Sequence, residues 1–421
     1  MFKTRKENLN QKNNKLKSIT DYQWLALDIG TENFKARHIN IGLRYDAPTY
    51  LAEDYEKNRI LYGEEAKALT DKTNENVIIK RPVRDGNIAD PDTLQRILTK
   101  IFQDFRLEIK NLKEINNNSI KKHEKLDKNR NLIVLMATPS EINSVQKEAL
   151  ENIVYRLGAL RGFVQEEVKM AALGSGQDIF GSAIMCVDIG GGSTDVAIIS
   201  NNSILYSYTT HCAGDYLIQK VQEYIIKKHA LKVGIKEAED VIKNIGSLMK
   251  YQDEKPYTIS GFSLPRLNSQ PGETMSISKT IEITPEEIRE NVMQAQFKEH
   301  IIPAIRRVLR TAGDKAAGSI SDLKKKGKGI TICGGGAYIK KVDKFIEEEL
   351  AKEYYIEVKT EKGTKPMRQK YEGDLFEVRT ALNPLDNVID GCVKYRDTIY
   401  KQLIIEQNPN REILIKDEDL G

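Results

Sequence analysis

Apolar residues in this chain gather in short runs, and two sets of runs share one plan. Trp24–Leu27 is apolar, Asp28-Ile29-Gly30-Thr31-Glu32-Asn33 is a polar bend, and an extended run continues to Ala36. The segment therefore reads strand, turn, strand. About 160 residues later Ala183–Val187 is apolar, Asp188-Ile189-Gly190-Gly191-Gly192-Ser193-Thr194 is the bend, and Val196–Ile199 is apolar again. Two strand–Asp-Ile-Gly–strand units in separate halves indicate a duplicated architecture with one shared site. Asp92–Phe105 has helical spacing, Leu132–Ala137 is a buried-strand candidate, and a helix is expected from about Glu141 to Leu157, capped by Thr138 or Ser140 with Pro139 near its start. Further helices are expected over Tyr216–Lys228, Lys236–Leu248, Pro285–Thr311 and Ala337–Leu350. The strand Ile330–Cys333 and the turn Gly334-Gly335-Gly336 precede the last of these.

Composition adds a tail and excludes several classes. The 421 residues suit two or three domains. Net charge is +4, but six cations (Lys3, Arg5, Lys6, Lys12, Lys15, Lys17) and only Glu7 lie in the first twenty residues. The body is near neutral, with no specific nucleic-acid signal. Phe2, Leu9, Leu16 and Ile19 could share one helical face among these lysines, which would suit an anionic membrane surface. A solvated tail is the alternative reading. A second polar stretch, about Lys110–Asn131, reads as an insertion. Cys186, Cys212, Cys333 and Cys392 lie far apart in or beside apolar stretches, as buried thiols of a reducing compartment do. No apolar run approaches the ~18 residues of a membrane span, so a cytoplasmic location is expected. The segment after Tyr395 reads as a mobile tail.

The chemistry lies in the bends. Glycines let a backbone approach phosphates closely, and a carboxylate at a strand end is held rigidly. Asp28 and Asp188 each end an apolar strand before a glycine-containing turn, and Mg²⁺ needs only one or two such carboxylates, reached through water. Either bend alone is also an ordinary hairpin turn; paired with a third glycine turn they favour a phosphate and metal site. The chain has no GxxxxGK[ST] motif, and no GxGxxG follows a strand, so P-loop and Rossmann readings lose support.

These three bends, in this order, resemble the actin, sugar-kinase and heat-shock-chaperone ATPase superfamily, and within it the prokaryotic actins, especially MreB. Gly63-Glu64-Glu65-Ala66-Lys67, Arg81-Pro82-Val83-Arg84-Asp85-Gly86-Asn87-Ile88-Ala89-Asp90, Ala137-Thr138-Pro139, Gln165-Glu166-Glu167, Met170–Gly174, Ala213-Gly214-Asp215 and Asn383-Pro384-Leu385 through Gly391 carry the likeness over about Trp24 to Tyr395. The resemblance implies an α/β actin-like fold: two similar domains, each a mixed sheet flanked by helices, around a central nucleotide cleft. Expected boundaries are a basic tail over 1–21, domain I over 22–184 with a small outer subdomain near 48–80, domain II over 185–376, a closing segment over 377–397 and a tail over 398–421.

The resemblance also implies roles. Asp28 and Asp188 would sit about Mg²⁺, and Gly30, Thr31, Asn33, Gly190, Gly191, Gly192, Ser193 and Thr194 would line the phosphates of ATP. Gly334, Gly335 and Gly336 would form the adenosine loop. Glu167 falls where the superfamily orients the attacking water, although a helix-start acid beside Glu166 is the plain alternative. Asp195 would help order water, or be an exposed strand acid. Lys35 falls where actin and the plasmid-segregation actins place a phosphate-binding lysine and MreB usually has an apolar residue. Gly214 and Asp215 would border the ribose. Glu239 matches a nucleotide-side glutamate, but Ile242 and Asn244 replace the usual lysine and second glutamate, which leaves base choice open. The implied function is an ATP-hydrolysing cytoskeletal protein that assembles with copies of itself, head to tail, into filaments. Rival readings are a nonpolymerising chaperone-type ATPase, a metabolite kinase and a nucleotide-binding adaptor.

Overall fold

The computed structural model describes residues 19, 22–70, 75–115, 131–139, 142–263, 278–315, 317–325, 328–352, 354–360, 363–369 and 376–407. The first half opens on the antiparallel meander β1 (Gln23–Ile29), β2 (Asn33–His38) and β3 (Leu43–Pro48). A small sheet follows, made of β4 (Leu51–Asp54), β5 (Arg59–Tyr62) and β6 (Val77–Lys80) with α1 (Glu64–Lys67). It has its own core of Tyr50, Ala52, Leu61 and Ala66. The hairpin β7 (Val83–Arg84) and β8 (Asn87–Ile88) turns on Asp85 and Gly86, whose φ of 49° and 73° suit a type I′ turn. Then come α2 (Pro91–Ile115), β9 (Leu132–Thr138), α3 (Ser144–Arg156), β10 (Arg161–Glu166) and α4 (Glu167–Gly174).

The second half repeats the plan. Its meander is β11 (Ile184–Ile189), β12 (Thr194–Ser200) and β13 (Ser203–Thr210). Helix α5 (Gly214–His229), β14 (Leu231–Lys232), α6 (Ile235–Ile245), β15 (Tyr257–Ser263) and β16 (Ser278–Ile283) follow. One long helical run holds α7 (Pro285–Ile288), α8 (Gln294–Gln296) and α9 (Ile302–Lys315), joined by π-helical turns. The chain continues through α10 (Ala317–Leu323), β17 (Ile330–Cys333), α11 (Val342–Ala351), β18 (Tyr354–Thr360), β19 (Gly363–Gln369), β20 (Val378–Thr380) and α12 (Asn387–Gln407).

The duplication is explicit in the sheet orders, β10-β9-β1-β2-β3 and β13-β12-β11-β17-β20. In each half the first strand of the meander pairs in parallel with a later strand, β1 with β9 and β11 with β17. All seven residues of β1 and of β9 are buried, as in strands covered on both faces, which is why they read as unbroken apolar runs. One core cluster joins the halves: Ala26 and Ile133 from the first sheet meet Cys186, Ala197 and Cys333 from the second, with residues of α4 and α12 between. The four cysteines are free and buried.

Helices α4 and α12 touch backbone to backbone. A methyl at Gly174 would lie 1.7 Å from the Asn387 carbonyl oxygen, and one at Gly391 would lie 1.9 Å from that of Met170. Neither backbone can yield without parting the helices. Gly174→Ala is therefore expected to destabilise the protein by about 1–3 kcal/mol, the usual range for overpacking, read from the urea midpoint.

Several elements depart from the sequence reading. Helix α3 starts at Ser144, capped by Asn143 in a reciprocal box with Gln146; Thr138 ends β9 instead, and Ser140 lies outside the described residues. The expected helix Ala337–Leu350 is split, because Gly335–Tyr338 makes a 3-10 turn and Lys341 takes a left-handed φ of 65° before α11. Helix α2 runs to Ile115, into the expected insertion, whose residues 116–130 lie outside the described residues. Helix α12 continues past the expected boundary at 397, burying Ile399, Tyr400, Leu403 and Ile404. At the other end Ile19 is buried and its carbonyl accepts from Trp24 Nε1 at 3.1 Å, which takes it out of any membrane-facing stripe; Phe2, Leu9 and Leu16 lie outside the described residues.

Candidate functional site

Strand ends build the site. Asp28 and Asp188 are the penultimate residues of β1 and β11, both buried, each facing a cross-strand partner: Lys35 for Asp28, Asp195 for Asp188. The bends after them interlock. A methyl at Gly191 would strike Glu32 Cβ at 2.8 Å, and one at Gly192 would strike the Thr31 side chain at 2.7 Å. The bends are also tight within themselves: a methyl at Gly30 would lie 2.7 Å from the Asn33 carbonyl, and the Gly190 N–H donates to the Ser193 carbonyl at 2.9 Å. The third glycine turn abuts the second. A methyl at Gly334 (φ 74°) would lie 2.4 Å from Asp188 Oδ1, and one at Gly336 would lie 2.2 Å from Ile189 Cγ2. Gly335 stands beside Leu385. The N–H groups of Gly214 and Asp215 donate to the carbonyls of Gly190 and Gly191 at 3.0 and 2.8 Å, pinning α5 to the second bend. Thr31, Glu167, Asp188, Gly190, Gly191, Gly192, Ser193 and Asp195 line one small polar cleft.

Its electrostatics call for a cation. Burial pushes Asp28 up to about 7, against the pull of Lys35. Burial and the negative charges of Asp195 and Asp28 push Asp188 up to about 8. Glu167 is raised well above the usual carboxylate range, by desolvation first and then by Asp28, Asp188 and Asp195. Asp28 Oδ1 is buried without a hydrogen-bond partner. Among the described residues no three such side chains come close enough to hold a metal directly. A Mg²⁺ that keeps its waters and leans on one or two carboxylates fits this donor set.

Two adjacent glutamates divide their work. Glu166 immediately precedes α4 and pairs with Lys147 at 2.8 Å and Lys169 at 3.7 Å; against the desolvation of its site, these lysines hold it below its usual range. Glu167, the first residue of α4, lines the cleft. Asp195 accepts from Thr209 Oγ1 at 2.6 Å and Ser193 Oγ at 3.4 Å; it is buried, not an exposed strand acid.

Other expected ligands turn elsewhere. The Thr194 hydroxyl, fully buried, donates to the Cys212 carbonyl at 2.7 Å and offers nothing to the cleft. Lys35 shares the sheet face of Asp28, but its ammonium is held by Asp386 Oδ1 at 2.8 Å and by the Leu385 carbonyl. Asp215 and Glu239 enter ion pairs that cross from one half to the other. Arg81 reaches Asp215 at 2.7 Å and Glu32 at 3.2 Å, while Lys67 contacts Glu32 and lies 3.9 Å from Glu239. Both cations stand over the Tyr50 ring. Glu32, Tyr50, Lys67 and Arg81 had no role in the sequence reading. Nor did the tip of the β7–β8 hairpin, where a methyl on Gly86 would lie 2.9 Å from Ser193 Oγ. The Asp-Gly pair was a local hairpin signal; the ion pairs had no local spacing to betray them.

With this geometry in place, the comparisons are specific. A family model described as MreB/Mbl protein matches residues 22–374. The cell shape-determining protein Mbl of Bacillus cereus is 29% identical over 328 residues, 77% of this chain and 88% of the relative. Among solved structures, MreB5 of Spiroplasma citri bound to ADP is 29% identical, with a TM-score of 0.73 over 91% of this chain and 99% of that one. A structure of the MamK double helical filament, at 15% identity and a TM-score of 0.64 over 89% of this chain and 98% of that one, shares the fold.

Proposed function

From the premise that the chain belongs to the MreB/Mbl family and has its actin-like fold, we propose that it binds ATP with Mg²⁺ in the cleft between its halves, hydrolyses it, and assembles head to tail into filaments. The observation that carries this reading is the convergence of the Asp28 and Asp188 bends on one acidic cleft that Glu167 lines. MreB5 of Spiroplasma citri has been solved with ADP and with AMPPNP, which supports a nucleotide in the corresponding place here. The Gly30–Asn33 and Gly190–Ser193 bends would cradle the phosphates, Asp28 and Asp188 would hold the waters of Mg²⁺, and Gly334–Gly336 would border the adenosine. Mg²⁺ would supply positive charge against that building on the transferring phosphoryl group. Glu167 would orient the attacking water and take its proton. A head-to-tail contact that does not close on itself produces a filament, and hydrolysis would serve to weaken it.

Among the described residues no helix is long and apolar enough to cross a membrane. The six cations before residue 18 suit attachment of filaments to an anionic lipid surface instead. The test is sedimentation with electron microscopy, run with ATP, ADP or no nucleotide and with or without anionic liposomes. Filaments that need ATP support the proposal; their absence in every condition removes the polymer.

The ion pairs across the cleft give a kinetic expectation. Arg81 and Lys67 tie the small outer sheet to α5 and α6, and their partly exposed pairs contribute about 0.5–1 kcal/mol each. Arg81→Ala should release a fluorescent ADP analogue roughly two- to fivefold faster in stopped flow, with more at low salt than at high. An unchanged rate would show that the pairs do not hold the cleft shut.

A further inference from the structure

We propose that Asp386 is a positioning residue for Lys35: it parks the ammonium beside the cleft and competes with bound phosphates for it. This rests on the reading of the cleft as an ATP site and adds a residue to it.

The argument starts from a pair that does not form. Asp28 and Lys35 are cross-strand neighbours on one face of the first sheet, both buried. Yet Asp28 Oδ1 has no hydrogen-bond partner, and the lysine reaches past it to Asp386 Oδ1 and the Leu385 carbonyl. A buried carboxylate oxygen is thereby left for a cation, and the ammonium tied to Asp386 belongs to that carboxylate's cross-strand neighbour on the same sheet face.

Three features make the parked position one that Lys35 can leave. The Asp386 side chain is 39% exposed, so its attraction is screened by water. Arg37, on the same strand face, stands 3.4 Å from the same Asp386 oxygen and remains as its counter-ion when the lysine departs. No buried charge is stranded in either position. A polyphosphate in the cleft offers several negative charges to an ammonium already on that face.

The device also has a place to report. Asp386 immediately precedes α12, and its carbonyl accepts from the Asp390 N–H at 2.8 Å. Helix α12 packs on α4 through Gly174 and Gly391, and α4 begins with Glu167. Movement of the lysine between Asp386 and phosphate would therefore bias the helix pair that carries Glu167.

The experiment measures affinity for a fluorescent non-hydrolysable ATP analogue at fixed Mg²⁺. Asp386→Asn frees the lysine and should tighten binding about three- to tenfold, whereas Lys35→Met should weaken it about tenfold. In the Lys35→Met background the Asp386→Asn effect should vanish, whereas in a chain that keeps Lys35, Asp386→Glu retains the carboxylate and should bind with near-wild-type affinity. Arg37→Gln removes the reserve counter-ion and should weaken binding about threefold, which gives a second reading should Asp386→Asn fail to fold. Affinity that falls or stays unchanged in Asp386→Asn, or an effect that persists without Lys35, overturns the proposal. Wild type that binds no analogue rejects the nucleotide site itself, and this inference with it.

Discussion

Replacing Glu167 by glutamine should lower phosphate release from ATP by about a hundredfold or more, while the affinity for nucleotide changes less than about threefold. The expectation follows from where the two neighbouring glutamates point. Glu166 is already committed to Lys147 and Lys169 at the start of α4, so Glu166→Gln should cost little activity. Glu167 has the cleft in front of it, and desolvation together with the charges of Asp28, Asp188 and Asp195 raises it well above the usual carboxylate range. A base in that setting works only when positive charge sits among the aspartates, so hydrolysis should require the divalent cation more steeply than binding does. The assay is continuous phosphate release at saturating ATP. Equal rates from wild type and Glu167→Gln would take Glu167 out of the mechanism.

How much of this was legible in the chain follows from the range of the interactions. Strands β1, β9 and β11 are buried on both faces, so each appears as an apolar run ended by an abrupt polar bend, and the duplication could be read directly. The three glycine turns could be read for the same reason: their conformations depend on neighbours within the turn. The destinations of long side chains could not. Arg81 meets Asp215 across 134 positions and Lys35 meets Asp386 across 351, and no spacing rule spans such gaps. The direction of the Thr194 hydroxyl is equally illegible, because the carbonyl it donates to belongs to Cys212, 18 positions on. The extension of α12 was a different failure. Ile399, Tyr400, Leu403 and Ile404 recur at helical spacing and are buried, which carries α12 through the start of the expected tail.

Asp188→Asn should produce two results of opposite sign. Without nucleotide, Asp188 and Asp28 hold protons that the unfolded chain has lost, since burial and mutual repulsion raise them from 3.8 to about 8 and about 7. The folded state therefore binds more protons than the unfolded state across that interval. The stability these groups contribute is full below about pH 4 and is lost as pH rises through 7 to 8. Asparagine cannot ionise, so the variant should be less sensitive to pH and more stable than wild type by about 1–3 kcal/mol at pH 8. The Mg²⁺-nucleotide complex should show the reverse, because the carboxylate whose burial is unfavourable is the one that would attract the hydrated cation. Its affinity should fall about a hundredfold, and the gain in affinity on adding Mg²⁺ should largely disappear. Urea midpoints at pH 5.5 and pH 8, together with nucleotide titrations with Mg²⁺ or chelator, read both arms. A variant less stable than wild type at pH 8 would mean that Asp188 is held by favourable partners rather than strained. Mg²⁺ dependence left intact would place the cation away from the second bend. Stability gained together with affinity lost is the pattern expected of a charge kept for its ligand and not for the fold.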